Sequence, residues 1–178
     1  MEQDIELLKY PVGKFERPAT IDSEQLKEWT AILETFPVRI AAEVSGLSED
    51  ALEQRYRPGG WTIRQVVNHC ADSHLNSFMR FKLALTEDLP TIKPYFEDRW
   101  AELYDSKILS PESALKMLEG IHERWVALIR HLNAEDLECA FHHPESGQKI
   151  DLKTTVGIYA WHCRHHLAHV QQAKRSAR

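Results

Sequence analysis

Apolar residues recur at three- and four-residue steps in four long stretches of this chain, a period that predicts four amphipathic helices. The first runs from Asp22, a capping residue, to about Val44, with Leu26, Trp29, Ile32, Leu33, Phe36, Ile40 and Val44 on its stripe and Pro37 as an expected kink. The second begins near Ile63, behind the T-x-x-Q capping box of Thr62 and Gln65, and persists to about Leu85. Ser110 followed by Pro111 reads as a cap with proline at the first helical position, opening a third helix that ends near Asn133. The last helix, about 152 to 175 and capped by Asp151, turns Leu152, Val156, Tyr159, Cys163, Leu167 and Val170 inward and Lys153, Arg164 and Gln171 outward.

The segments between these stretches are punctuated differently. Pro11, Gly13 and Pro18 break any period, so residues 1 to 21 are expected to form an extended arm across the body. Ser48 caps a short helix over 49 to 55, and RPGG at 57 to 60 is a turn ahead of the second helix. Residues 86 to 110 hold Pro90, Pro94, Tyr95, Phe96, Trp100 and Tyr104, with one short helix expected around 97 to 104, a connection suited to roofing a site. A turn of helix over 134 to 139 and a small hairpin in FHHPESGQKIDL, turning at Pro144 and Gly147, precede the last helix. The sum is an all-α fold: an antiparallel four-helix bundle in one domain, 1 to 178, with an extended N-terminal arm and a small hairpin.

Composition narrows the partners. The chain has 178 residues, 43% hydrophobic and 28% charged, with a formal net charge of −5 and no basic run, which argues against nucleic acid or an acidic membrane surface and for a small-molecule substrate. No stretch nears the roughly 18 apolar residues of a membrane span, and MEQDIELLKY lacks a basic start followed by an apolar core, so a cytoplasmic location is expected. Cys70, Cys139 and Cys163 form no C-x-x-C pair and are odd in number; they are expected to be reduced and packed in the core.

The candidate chemistry lies in the histidines. The last helix carries His162, His165, His166 and His169, and two pairs, His162 with His166 and His165 with His169, have the four-residue spacing that brings Cβ atoms to roughly 5 to 6 Å on one helix face. Spacing does not choose between them. His69, far upstream in NHCADSH, is a third candidate that would tie two helices together. Three neutral imidazole nitrogens suit zinc, nickel or iron and keep a position open for water or substrate, which is the pattern of a catalytic site. The H-E-x-x-H pattern is absent, because His166 follows His165. Asp72, one turn after His69, is a candidate for orienting a ligand or accepting a proton. His74 is expected to be structural or to line the pocket, and His142 and His143 to face solvent.

GGWTIRQVVNHCADSHLNSFMRFKLAL, followed further on by YAWHCRHHLAHV, resembles the DinB-like superfamily and within it the YfiT-like branch of metal-dependent hydrolases; the YPVG arm, Pro37 and the RPGGWT turn extend the resemblance over nearly the whole chain. The resemblance implies metal ligands at His69, His165 and His169, one divalent ion, zinc or nickel, a homodimer and a cytoplasmic location. Where the branch often has leucine after the first ligand, this chain has Cys70. The function implied is hydrolysis by a water that the ion acidifies to a pKa of about 7. Two alternatives share the same ligands. One is an S-transferase that holds a low-molecular-weight thiol such as bacillithiol as its thiolate, and the other is a non-catalytic, metal-stapled dimeric bundle.

Overall fold

The computed structural model describes residues 2–176, with side chains described over 5–175. In chain order the elements are α1 (Glu2–Lys9), α2 (Ser23–Val44), α3 (Glu49–Leu52), α4 (Ile63–Thr86), α5 (Glu97–Trp100), α6 (Tyr104–Ile108), α7 (Glu112–His131), α8 (Ala134–Glu138), β1 (Ala140–His143), β2 (Gln148–Asp151) and α9 (Leu152–Ser176). The four long helices are those predicted by periodicity, and the starts of α2, α4 and α9 follow the capping chemistry, whereas α7 begins at Glu112 with Pro111 in the cap position and no side-chain cap, one residue later than expected. Asp22 accepts from Gln25 N at 2.8 Å, Thr62 and Gln65 form the reciprocal capping box, and Asp151 Oδ1 accepts from Thr154 N at 2.7 Å. Helix α2 continues through Pro37.

The N-terminal arm departs from expectation in its first part. Residues 2 to 9 are helical, because the punctuating Pro11, Gly13 and Pro18 all lie downstream and EQDIELLK contains no breaker. From Tyr10 the arm runs without regular structure to α2, held by Trp161 Nε1 donating to the Gly13 carbonyl at 2.9 Å and by Arg17 on Thr154 and Asp151. The connection over 86 to 110 likewise forms two short helices, α5 and α6, instead of one.

In the bundle, α2 packs along α7 and α9, and α4 packs along α7 and α9. Sequence neighbours α2 and α4 therefore lie diagonally, as do α7 and α9, whereas an up-and-down bundle sets consecutive helices side by side. The two diagonal crossings are made by the connections that carry α3 and that carry α8 with the hairpin. Hairpin register pairs Phe141 with Ile150 and His143 with Gln148. Trp125, Phe36, Phe81, Leu33 and Ile40 fill the centre of the core. Close approach of α9 to α2 requires glycine at 157, since a Cβ there would stand 2.7 Å from the Trp29 ring.

Gly157→Val should therefore overpack the α2–α9 interface and cost about 2 to 3 kcal/mol, read as a lowered midpoint in urea or thermal unfolding.

Candidate metal centre

A cavity of about 520 Å³ opens beside α4 and α9, within the size range of small-molecule sites. His69 reaches it from α4, and His162, His165, His166 and His169 reach it from α9. The RPGGWT turn brings Arg57, Gly60 and Trp61 to its wall. Gly60 is demanded there by space: a Cβ would lie 2.8 Å from Arg57 Cγ and 3.1 Å from the Tyr56 ring. From the arm come Lys9 and Tyr10, and from α5 come Glu97 and Asp98.

The ring nitrogens sort into overlapping groups. Ligand atoms of His69, His162 and His166 lie within 4.8 Å of one another, and so do those of His165, His166 and His169. His69 Nε2 stands 3.2 Å from His162 Nε2. Two nitrogens bound to one tetrahedral zinc at roughly 2.0 to 2.1 Å are about 3.3 Å apart, so this pair already has the spacing of two ligands on one ion. The combination implied by the sequence resemblance, His69 with His165 and His169, is divided between the two groups, with His166 common to both. His169 Nε2 is engaged by the Lys9 carbonyl at 3.1 Å, and its ring stacks on Tyr56 at 3.8 Å. His165 stacks on Trp161 and leaves a buried Nδ1 with no hydrogen-bond partner.

A third group, His74, His122 and Cys163, is wholly buried in the core. Its imidazoles are already committed: His74 Nε2 to His162 Nδ1 at 3.0 Å, His74 Nδ1 to His122 Nε2 at 2.6 Å, and His122 Nδ1 to the Leu33 carbonyl at 2.6 Å. An ion there would have to break that line. Burial pushes the Cys70 and Cys163 thiols upward, so both stay protonated, while Cys139 is only partly buried.

Burial also keeps the histidines neutral, which is the form that ligates metal. Desolvation lowers His69 to about 3, with the charge of His165 adding to it, and lowers His122 and His165 to about 4 and His169 to about 3. His74, His162 and His166 are pushed down by the same burial and, secondarily, by the charges of neighbouring histidines.

Other candidates fall differently. Asp72 is half-buried, raised to about 6 by desolvation and by Asp105, and does not line the cavity. The carboxylates that do are Glu97 and Asp98, which periodicity alone could not single out because they open α5, a helix of four residues and too short to show a period. Partial desolvation, then the charges of Asp98 and Glu145, hold the Glu97 carboxyl above its ordinary range despite the nearby Arg80. His143, expected to face solvent, lines the cavity instead. The two-residue alternation of β1 puts it on the face of buried Phe141, and its Nδ1 is buried without a partner. Arg80 also lines the cavity, and its side chain makes no hydrogen bond or close ion pair among the described residues, although its charge acts on Glu97.

A four-helix bundle with imidazoles from two of its helices converging on one cavity defines a class of metal-binding four-helix proteins. Residues 32–170 match the DinB superfamily, and the chain belongs to that family. It is 43% identical to "Putative metal-dependent hydrolase YfiT" of Bacillus subtilis (strain 168) over 94% of either chain. It is 50% identical to "Putative metal-dependent hydrolase BcerKBAB4_2443" of Bacillus mycoides (strain KBAB4), over 92% of this chain and 93% of that one. The solved structure of Bacillus subtilis YfiT, described as a probable metal-dependent hydrolase with an unusual four-helix bundle topology, superposes with a TM-score of 0.93 at 42% identity, covering 96% of this chain and 98% of that one. The diagonal placement of consecutive helices agrees with that description.

The buried neutral histidines carry a pH signature. Below pH 6.5 the unfolded chain protonates histidines that the folded chain keeps neutral, so protons favour unfolding. Stability of metal-free protein should be full above about pH 6.5 and fall progressively toward the folded values of about 4 for His122 and His165 and about 3 for His69 and His169. The slope is up to about 1.4 kcal/mol per pH unit for each such histidine. Thermal midpoints should hold from pH 7.5 to about 6.5 and decline steadily from there to pH 5; a profile flat down to pH 5 would mean these rings are solvated.

Proposed function

We propose that this chain is a metal-dependent hydrolase whose single divalent ion, zinc or nickel, is held by His69, His162 and His166. The observation that carries this reading is the convergence of those three ligand atoms on one cavity wall, with the 3.2 Å separation of His69 Nε2 and His162 Nε2. This ligand set differs from the one implied by the sequence resemblance. It is favoured because His169 spends its Nε2 on the Lys9 carbonyl and because His69 groups with His162 and His166. Names given to the relatives supply the reaction class.

A bound divalent ion supplies Lewis acidity, polarising a scissile carbonyl or phosphoryl oxygen and acidifying water. The remaining work belongs to side chains. Glu97, with its carboxyl raised above the ordinary carboxylate range and lining the cavity, is suited to accept a proton from the attacking water and return it to the leaving group. Arg80, with no ion-pair partner among the described residues, orients a substrate that carries an anionic or strongly polar group. Trp61 and Tyr10 flank the mouth and exclude water from the reacting face.

Metal content by ICP-MS, on protein purified without chelator or a nickel column, should be about one ion per chain. It should be lost in His69→Ala, His162→Ala and His166→Ala and retained in His165→Ala at saturating metal. Loss in His165→Ala and His169→Ala with retention in His162→Ala would return the site to the other pair. On an ester and amide panel, Glu97→Gln should lower kcat by about 100-fold or more without loss of metal. Thiol-dependent consumption of an electrophile with no hydrolysis would move the assignment to thiol transfer.

A further inference from the structure

Four histidines and one backbone carbonyl form a continuous hydrogen-bonded line across the bundle. It begins at the Leu33 carbonyl on α2, passes through His122 on α7 and His74 on α4, and reaches His162 on α9, whose Nε2 faces His69. Its direction is fixed at one end, because a carbonyl only accepts. His122 Nδ1 must carry its hydrogen, so in the neutral ring His122 Nε2 is the acceptor. His74 Nδ1 then donates to it, which leaves His74 Nε2 to accept, and His162 Nδ1 donates in turn.

We propose that His74 and His122 are positioning residues that lock His162 in its Nδ1–H tautomer, delivering the Nε2 lone pair toward His69 and His166. The proposal rests on the reading of His162 as a metal ligand. Ligating histidines ordinarily donate their second nitrogen to a carboxylate, a carbonyl or water, which fixes the ring orientation. Here no carboxylate stands behind His162, and the carbonyl that sets its tautomer is two imidazoles away. His74 and His122 are each at most 1% exposed, so water does not compete for their nitrogens. A shorter line of the same logic serves His166: His169 Nε2 donates to the Lys9 carbonyl, leaving His169 Nδ1 to accept from His166 Nδ1 at 3.4 Å. His169 thus has a use beside the ion without being a ligand.

The test is tautomer-sensitive NMR on metal-free, ¹⁵N-histidine-labelled protein at pH 7.5, using two-bond proton–nitrogen correlations. His122, His74 and His162 should all be Nδ1–H, although the imidazole of histidine in water favours the Nε2–H form. His122→Phe, with its fold verified by circular dichroism, should let His74 and His162 redistribute toward Nε2–H and weaken zinc binding about 10- to 100-fold in competition with a chromophoric chelator. His122→Gln should rescue both readouts, since its amide can donate to the Leu33 carbonyl and accept from His74. If His122→Phe does not fold, the wild-type spectrum decides alone. An Nε2–H form of His162 in wild type, or a folded His122→Phe with unchanged tautomers and affinity, would overturn the proposal. Three Nδ1–H rings in a protein that takes up no zinc would instead overturn the ligand assignment while upholding the tautomer line.

Discussion

The line of hydrogen bonds from the Leu33 carbonyl to His162 is the constraint around which the molecule is arranged, because it touches all four long helices in turn. A polar group left unpaired in such a core costs about 1 to 3 kcal/mol, so each helix must keep its height and rotation for the next ring to be satisfied. Trp125, Phe36 and Tyr159 pack against these rings and exclude water from them. The diagonal order of the helices then has a local consequence: α7 and α4 lie between α2 and α9 along the line, and the last imidazole arrives at the cavity from the core side. Packing and chemistry share one set of residues.

The cavity is completed by segments outside the bundle. Its rim comes from the arm, the RPGGWT turn, the roof helices and the hairpin, and His169 itself holds the arm through the Lys9 carbonyl. Trp161 binds the arm at Gly13, and Gln172 donates to the Leu8 and Tyr56 carbonyls, tying arm and turn to α9. Arg64 pins the turn region through Glu49, Glu53 and the Leu109 carbonyl, joining α3 and the end of α6 to α4. No described helix is long and apolar enough to cross a membrane.

Much of this was legible in the sequence. The long helices, their caps and the hairpin follow from local chemistry: a 3.6-residue period, Asp22, Thr62 with Gln65, Asp151, and a Pro-Gly turn. The histidines of α9 and His69 were legible as a cluster for the same reason. Which of them converge was not, since His162, His165, His166 and His169 all lie on one half of the helix and only the rotation of α9 against α4 separates them. His122 gave no sequence signal: a single histidine on the stripe of α7 looks like any packed polar residue, and its meaning comes from His74 and Leu33, 48 and 89 residues away in sequence. The helical start of the arm was hidden because the breakers at Pro11 to Pro18 were read across the whole segment. Glu97 escaped because the four residues of α5 are too few to show a period.

The most direct measurement is a crystal structure of the zinc-loaded protein, with data collected on both sides of the zinc absorption edge to place the ion by anomalous difference density. One strong peak is expected about 2.0 to 2.1 Å from a nitrogen of each of His69, His162 and His166, opening onto the cavity. A peak held by His165 and His169, or no peak in the histidine cluster, would contradict that assignment.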